Sequence, residues 1–187
     1  LDSASHTNHG VLVGVGTNAW TSGVIRNALV LDGEDDYAEF PDSDSLKPNY
    51  VSVSLWFKPA RDFTNGAAIF FSKKPAAATG YQMAYQQGTM QFLVCASGEK
   101  TIGVPCNLSS GVWHHVAGVY GGENQKLYLD GALVAKTNYD WGMGAGYIDQ
   151  GTNSAWLGAS AGDTPSNCFA GAMDDVQLYA YELTSNQ

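Results

Sequence analysis

Carboxylates crowd two short stretches of this chain. Asp32, Glu34, Asp35 and Asp36 fall close together near one end, and Asp174 and Asp175 are adjacent near the other. Carboxylate oxygens are the donors that a hard cation such as calcium takes, completed by backbone carbonyls and water. Sequence alone does not bring the two stretches together, and solvated turn acids are the alternative. Two positioned carboxylates could also hydrolyse a glycosidic bond. The other acids speak against that chemistry: Glu39, Glu99, Glu123 and Glu182 are scattered, and the runs 51–57, 90–95 and 112–120 hold no acid at all. A Gly-x-Ser-x-Gly elbow, a His-Glu-x-x-His zinc motif and a Gly-Lys-Ser/Thr phosphate loop are also absent from the sequence. His114 and His115 are neighbours that point opposite ways on a strand, so a shared metal is not expected. One histidine hydrogen-bonded beneath a sheet edge and the other exposed is the expectation, in preference to a general base.

Aromatic residues suggest a different chemistry. Sugars present C–H faces and hydroxyls, so their sites pair an exposed ring with amide, carboxylate or guanidinium groups. Tyr139-Asp140-Trp141 precedes Gly142-Met143-Gly144 in a Gly-rich stretch, where a large ring has little reason to be buried. Tyr81 and Tyr85 share one strand face beside Gln82, Gln86 and Gln87, and Arg61 and Asn65 follow the Trp56 strand. Trp141, Tyr139, Tyr85 and Arg61 are therefore the expected ligand contacts. Trp56 and Trp113 fall inside strong strands and are expected in the core, as is Trp156.

The elements that must position these groups are strands. Alternation with period two recurs and helical spacing hardly appears. Val51, Val53, Leu55 and Phe57 alternate with Ser52, Ser54 and Trp56, and Met90, Phe92 and Val94 alternate with Gln91, Leu93 and Cys95. Further strands are expected at 28–32, 36–40, 67–72, 81–86, 112–120, 126–129, 132–134, 155–159 and 172–180. Asp130-Gly131 reads as a type I′ hairpin, whose two central residues need positive φ. The same Leu-x-Leu-Asp-Gly pattern at Leu29–Gly33 runs into three further acids and is not a plain turn. Many short strands without helices imply an all-β antiparallel two-sheet sandwich. One domain over 1–187, with its core at about 25–183, accounts for the length.

Composition narrows the partners. The 187 residues carry nine Lys+Arg against eighteen Asp+Glu, for a net charge of −9. Hydrophobic residues reach 44% and charged residues only 14%, which excludes a disordered chain. The acid surplus opposes nucleic acid and anionic lipid surfaces, and it favours a neutral glycan over a sulfated or uronic one. Only a basic spot at Arg61, Lys73 and Lys74 could reverse that preference. No apolar run approaches the roughly 20 residues of a membrane-spanning helix. The chain as given is expected to be soluble, with any export signal removed or not included. Cys95, Cys106 and Cys168 leave one thiol unpaired; Cys95 and Cys106 either staple neighbouring strands or remain buried thiols. Asn107-Leu108-Ser109 is a glycosylation sequon.

Several motifs, taken in order, resemble laminin-G-like domains of the concanavalin A-like jelly-roll superfamily. They are Asn27–Asp42 (Asn-Ala-Leu-Val-Leu-Asp-Gly-Glu-Asp-Asp-Tyr-Ala-Glu-Phe-Pro-Asp), Val53–Lys58, Trp113–Ala117, Leu127–Gly131, Trp156–Ala159 and Gly171–Tyr179. The resemblance implies two curved antiparallel sheets and use as a carbohydrate-binding or adhesive module outside the cell, attached to further domains. It also implies one structural calcium where the Asp-Gly loop meets the closing strand, held by Asp32 and Asp174 with Asp35 and Asp175 in support. Jelly-roll glucanases resemble one another in a Glu-x-Asp-x-x-Glu run, which this sequence lacks. The expectation is a non-catalytic, lectin-like module that binds a neutral polysaccharide. A protein-interaction domain is the alternative, and a glycoside hydrolase ranks behind both.

Overall fold

A computed structural model describes residues 8–17, 19–62, 66–75, 78–141, 146–162 and 164–184. The first residues of the chain, Asn65 and Gly142-Met143-Gly144 lie outside them. The strands are β1 (Val11–Val13), β2 (Trp20–Ser22), β3 (Asn27–Asp32), β4 (Tyr37–Phe40), β5 (Val51–Pro59), β6 (Ala67–Ser72) and β7 (Tyr81–Gln86). They continue as β8 (Thr89–Cys95), β9 (Glu99–Pro105), β10 (His114–Tyr120), β11 (Asn124–Leu129), β12 (Ala132–Asn138), β13 (Ala155–Leu157) and β14 (Ala170–Tyr179). One sheet has the order β1-β4-β13-β6-β7-β8-β9, the other β12-β11-β10-β5-β14-β3-β2. Every pairing is antiparallel, as the all-β sandwich expectation requires.

Pleating builds the core. Val51, Val53, Leu55 and Phe57 of β5 are at most 1% exposed and face Phe70, Met83, Tyr85, Met90 and Phe92 of the other sheet. Successive side chains of a strand point to opposite faces, so Ser52, Ser54, Trp56 and Lys58 must face outward. The sheets approach each other closely at Gly118 of β10. A Cβ there would stand 2.6 Å from a Phe92 ring carbon and 2.7 Å from the Met83 methyl group.

Turn chemistry connects the meander. Asp130 (φ 51°) and Gly131 (φ 80°) form the expected two-residue hairpin between β11 and β12. Gln87-Gly88 does the same for β7–β8, and the three-residue loop Ala96-Ser97-Gly98 joins β8 to β9, with positive φ at Gln87, Gly88, Ser97 and Gly98. The β8–β9 hairpin also decides the cysteine question. Cys95 lies opposite Glu99, whereas Cys106 follows Pro105 at the far end, opposite Thr89. Six residues of strand, about 20 Å, separate them, far beyond disulfide reach. All three cysteines are free thiols.

Gly118→Ala should cost about 1–3 kcal/mol by overpacking the inter-sheet contact. Gly16→Ala, where nothing lies within 4 Å of the added carbon, should be near neutral. Equal urea midpoints for the two variants would contradict the close approach.

Candidate functional site

The acidic residues divide differently from the expectation. Asp32, Asp35 and Asp36 offer carboxylate oxygens that all lie within 4.8 Å of one another. Asp36, which was not among the expected ligands, is only 7% exposed and accepts a 3.1 Å hydrogen bond from the Asp32 amide. Burial first, and then the charges of Asp32 and Asp35, raise its pKa above the usual aspartate value, although the Asp32 amide opposes them. Burial, followed by the same three acids, also pushes up the Cys168 thiol. Gly14 (φ 77°) borders the group: a Cβ there would lie 2.7 Å from the Asp35 carbonyl oxygen and 2.9 Å from Asp36 Oδ1. Hard oxygen donors, crowded charge and room left by a missing side chain suit a hard cation.

Asp174 and Asp175 are not part of that group. In the β3–β14 ladder Asp32 sits opposite Ala170, and Asp174 lies four residues farther along β14, about 13 Å away. Asp174 has another task. Its carboxylate accepts the Ile25 amide at 2.6 Å and the Asp175 amide at 2.8 Å, and so fastens the β2–β3 turn. Asp175 accepts from Gln177 Nε2 at 2.8 Å, next to an irregularity in β14.

The expected ligand contacts are also redistributed. Tyr85 is 0% exposed on the inner face of β7 and donates its hydroxyl to the Cys106 carbonyl at 2.9 Å. Tyr139 donates to Gln125 Oε1 at 2.5 Å, while Gln125 Nε2 donates to the Phe92 carbonyl at 2.8 Å. It thus braces the two sheets rather than facing solvent. Trp141 is half-buried, and its Nε1 donates to the Gly122 carbonyl at 2.6 Å. Arg61 is exposed. Lys73 and Lys74 form no basic spot with it. Lys73 is 1% exposed and bound to Asp42 at 2.7 Å, and Lys74 pairs with Glu99 at 2.9 Å.

The aromatic surface lies where the pleat of β5 puts it. Trp56 is half-buried on the outer face, directly between Asp174 of β14 and His115 of β10. Its ring centroid lies 5.1 Å from that of His115. Trp113 is half-buried beside it, with Lys58 Nζ 5.1 Å above the ring. Lys58 also lines an open depression of about 430 Å³, together with Thr21, Val30, Ser110, Gly111 and Ala172. Both tryptophans were expected in the core. The signal that places Trp56 outside was its alternation with Val53, Leu55 and Phe57. His114 points inward and meets Asp130 Oδ2 at 2.9 Å, so one histidine is bound beneath the sheet and its neighbour faces outward. Trp156 is 7% exposed, stacked on Tyr37 at 4.2 Å on the outer side of the opposite sheet.

Comparison with known proteins identifies the class. The Laminin_G_3 model, described as the concanavalin A-like lectin/glucanases superfamily, matches residues 32–187, and the chain belongs to that family. Domain 4 of AbnA, a GH43 extracellular arabinanase from Geobacillus stearothermophilus, solved with arabinotriose, is 25% identical with a TM-score of 0.67. That match covers 95% of this chain and 85% of that one. The CBM40 of Ruminococcus gnavus IT-sialidase, bound to α2,3 sialyllactose, is 13% identical with a TM-score of 0.65, covering 85% and 92%. The botulinum neurotoxin serotype D binding domain is 14% identical with a TM-score of 0.64, covering 96% of this chain and 45% of that one. No curated protein matches the chain. No helix among the described residues is long and apolar enough to cross a membrane.

Burial holds the His115 pKa below its ordinary value of 6.5, with Asp130 and Asp175 pulling the other way. A histidine depressed in the fold favours the neutral ring, so its contribution is intact above the unfolded pKa and is lost as pH falls toward the folded one. Between about pH 7.5 and about pH 5.5, the wild type should lose more stability than His115→Gln. Identical slopes in urea denaturation would refute this.

Proposed function

We propose that this domain is a non-catalytic glycan-binding module that receives its ligand on the outer face of β5, β10 and β14. The carrying observation is the pair of half-buried outer-face rings, Trp56 beside His115 and Trp113 beneath Lys58, with Lys58 also lining a depression that includes Thr21 and Ser110. Rings supply flat apolar area for sugar C–H faces, and the polar groups supply direction. The AbnA domain solved with arabinotriose and the CBM40 bound to sialyllactose lend support from the same fold. A neutral polysaccharide fits the net charge of −9 and the pairing of Lys73 and Lys74 with acids. The carboxylates nearest Trp56 are taken up by hydrogen bonds from Ile25, Asp175 and Gln177, which favours recognition over hydrolysis. Such a module, outside the cell and joined to further domains, raises the local concentration of its attached partner at a polysaccharide.

In the same reading a structural calcium ion is held by Asp32, Asp35 and Asp36. When bound, the ion supplies positive charge that offsets the mutual repulsion of these acids. A second reading, protein interaction, is favoured by exposed apolar side chains on and beside the short edge strands: Val11 at 62%, Trp20 at 58% and Ile25 at 52%.

On a glycan array followed by calorimetry, Trp56→Ala and Trp113→Ala should each weaken binding about tenfold or more, while Trp20→Ala leaves it unchanged. Wild-type binding to no glycan would move the assignment to protein interaction. Saturating calcium should stabilise the wild type by about 2.7 kcal/mol at about 100 times Kd, seen as a higher melting temperature, and should not affect Asp36→Asn. A melting temperature indifferent to chelator would remove the ion from the account.

A further inference from the structure

The end of the sandwich away from the acidic loop holds a second aromatic group that the Trp56 face does not use. β5 begins here, where Val51 pairs with Tyr120, and the Gly121-Gly122 turn follows Tyr120. Tyr120 is buried, with its ring 6.4 Å from Tyr139, and Tyr139 lies 5.5 Å from Trp141. Trp141 is anchored to the Gly122 carbonyl from one side. From another, Tyr50 packs on Gly122 so closely that a Cβ would stand 2.6 Å from its ring. Tyr50 in turn meets Tyr147, with centroids 5.7 Å apart and planes inclined at 52°. Burial, then the neighbouring Tyr147 and Glu123, raises the Tyr50 pKa. Tyr147 ends the series with 52% of its surface in solvent.

The polar groups beside these rings select the ligand. Glu123 is exposed next to Tyr50, and Asn124 Oδ1 is buried with no hydrogen-bond partner among the described residues. Glu182 abuts the same turn, against Gly121, and pairs with Lys126 at 2.6 Å. An anionic ligand would meet the exposed Glu123, whereas Glu182 is already paired with Lys126. A purely apolar one would cover the tyrosine phenols without giving them partners, at a cost of about 1–3 kcal/mol each. A neutral sugar satisfies both sides, with C–H faces for the rings and hydroxyls for the acceptors.

We propose that Tyr50 and Tyr147, beside the Gly121-Gly122 turn, form a second subsite for a neutral saccharide at the end of the sandwich. Six residues of β5 separate it from Trp56, about 20 Å, so one short oligosaccharide does not occupy both. The subsite rests on its own rings and polar groups and does not require the Trp56 face to bind.

The test is an NMR titration of the full chain, reading tyrosine ring and tryptophan indole signals, with arabinotriose, xylotriose and 3′-sialyllactose as probes. Expected are saturable shifts at Tyr50 and Tyr147 with arabinotriose or xylotriose, about tenfold weaker in Tyr147→Ala, and an unchanged Trp56 response in that variant. Tyr147→Phe keeps the ring and should fall between. Shifts at Trp56 with Tyr147 silent overturn the second subsite and leave the face intact. Shifts at Tyr147 with Trp56 silent support the subsite and sink the face. Silence at both overturns both, and a Tyr147 response to 3′-sialyllactose alone overturns the neutral class.

Discussion

β5 lies inside its sheet with β10 hydrogen-bonded along one edge and β14 along the other, and so it cannot slip without breaking both ladders. Its apolar set is locked inward by this arrangement, because a one-residue shift would turn Val51, Val53, Leu55 and Phe57 out to water. Burying four such side chains stabilises the native register by several kcal/mol, at about 1.5–3 kcal/mol each. The outward set is then determined as well. Trp56 and Lys58 stand on the surface because Leu55 and Phe57 cannot, and β10 and β14 bring His115 and Asp174 to either side of Trp56. The face proposed for recognition is thus a consequence of core registry.

Charge follows the same framework. The β3–β14 ladder holds Asp32 and Asp174 apart and gives them different work. Asp174 is buried and consumed by two backbone amides, which makes it a fastener of the β2–β3 turn. Asp36 is buried among like charges instead, and such an acid is uncomfortable unless protonated or neutralised by a cation. Buried cations are handled the same way: Lys73 is shielded by Asp42 and the Asn153 carbonyl, which removes it from any role with ligand.

Much of this architecture was legible in the residues. Long alternating strands such as β5, β8 and β10 declare themselves, and Asp130-Gly131 specifies its own turn. Short edge strands do not. β1 and β2 are three residues each and largely exposed, so they carry no buried face to produce a pattern. β9 was hidden because its turn, Ser97-Gly98, is a weaker signal than Asp-Gly and its outward residues are polar or Gly. Site residues were harder, since they depend on pairings between remote strands. Alternation put Tyr85 on one face of β7 without saying that this face was the inner one. The register of β14 against β3, which separates Asp174 from Asp32, is written nowhere in local sequence. Trp20 offered no local sign that it would stand in solvent, and Tyr50 and Tyr147 meet only because the turn at Gly122 lets the chain approach.

Hydroxyl-radical footprinting of the tryptophans, read by mass spectrometry with and without a bound polysaccharide, addresses the recognition face directly. Trp56 and Trp113 should become protected, Trp20 should stay reactive, and Trp156, stacked and covered, should react little in either state. Protection at Trp20 or Trp141 with Trp56 and Trp113 unaffected would contradict a ligand face built on β5.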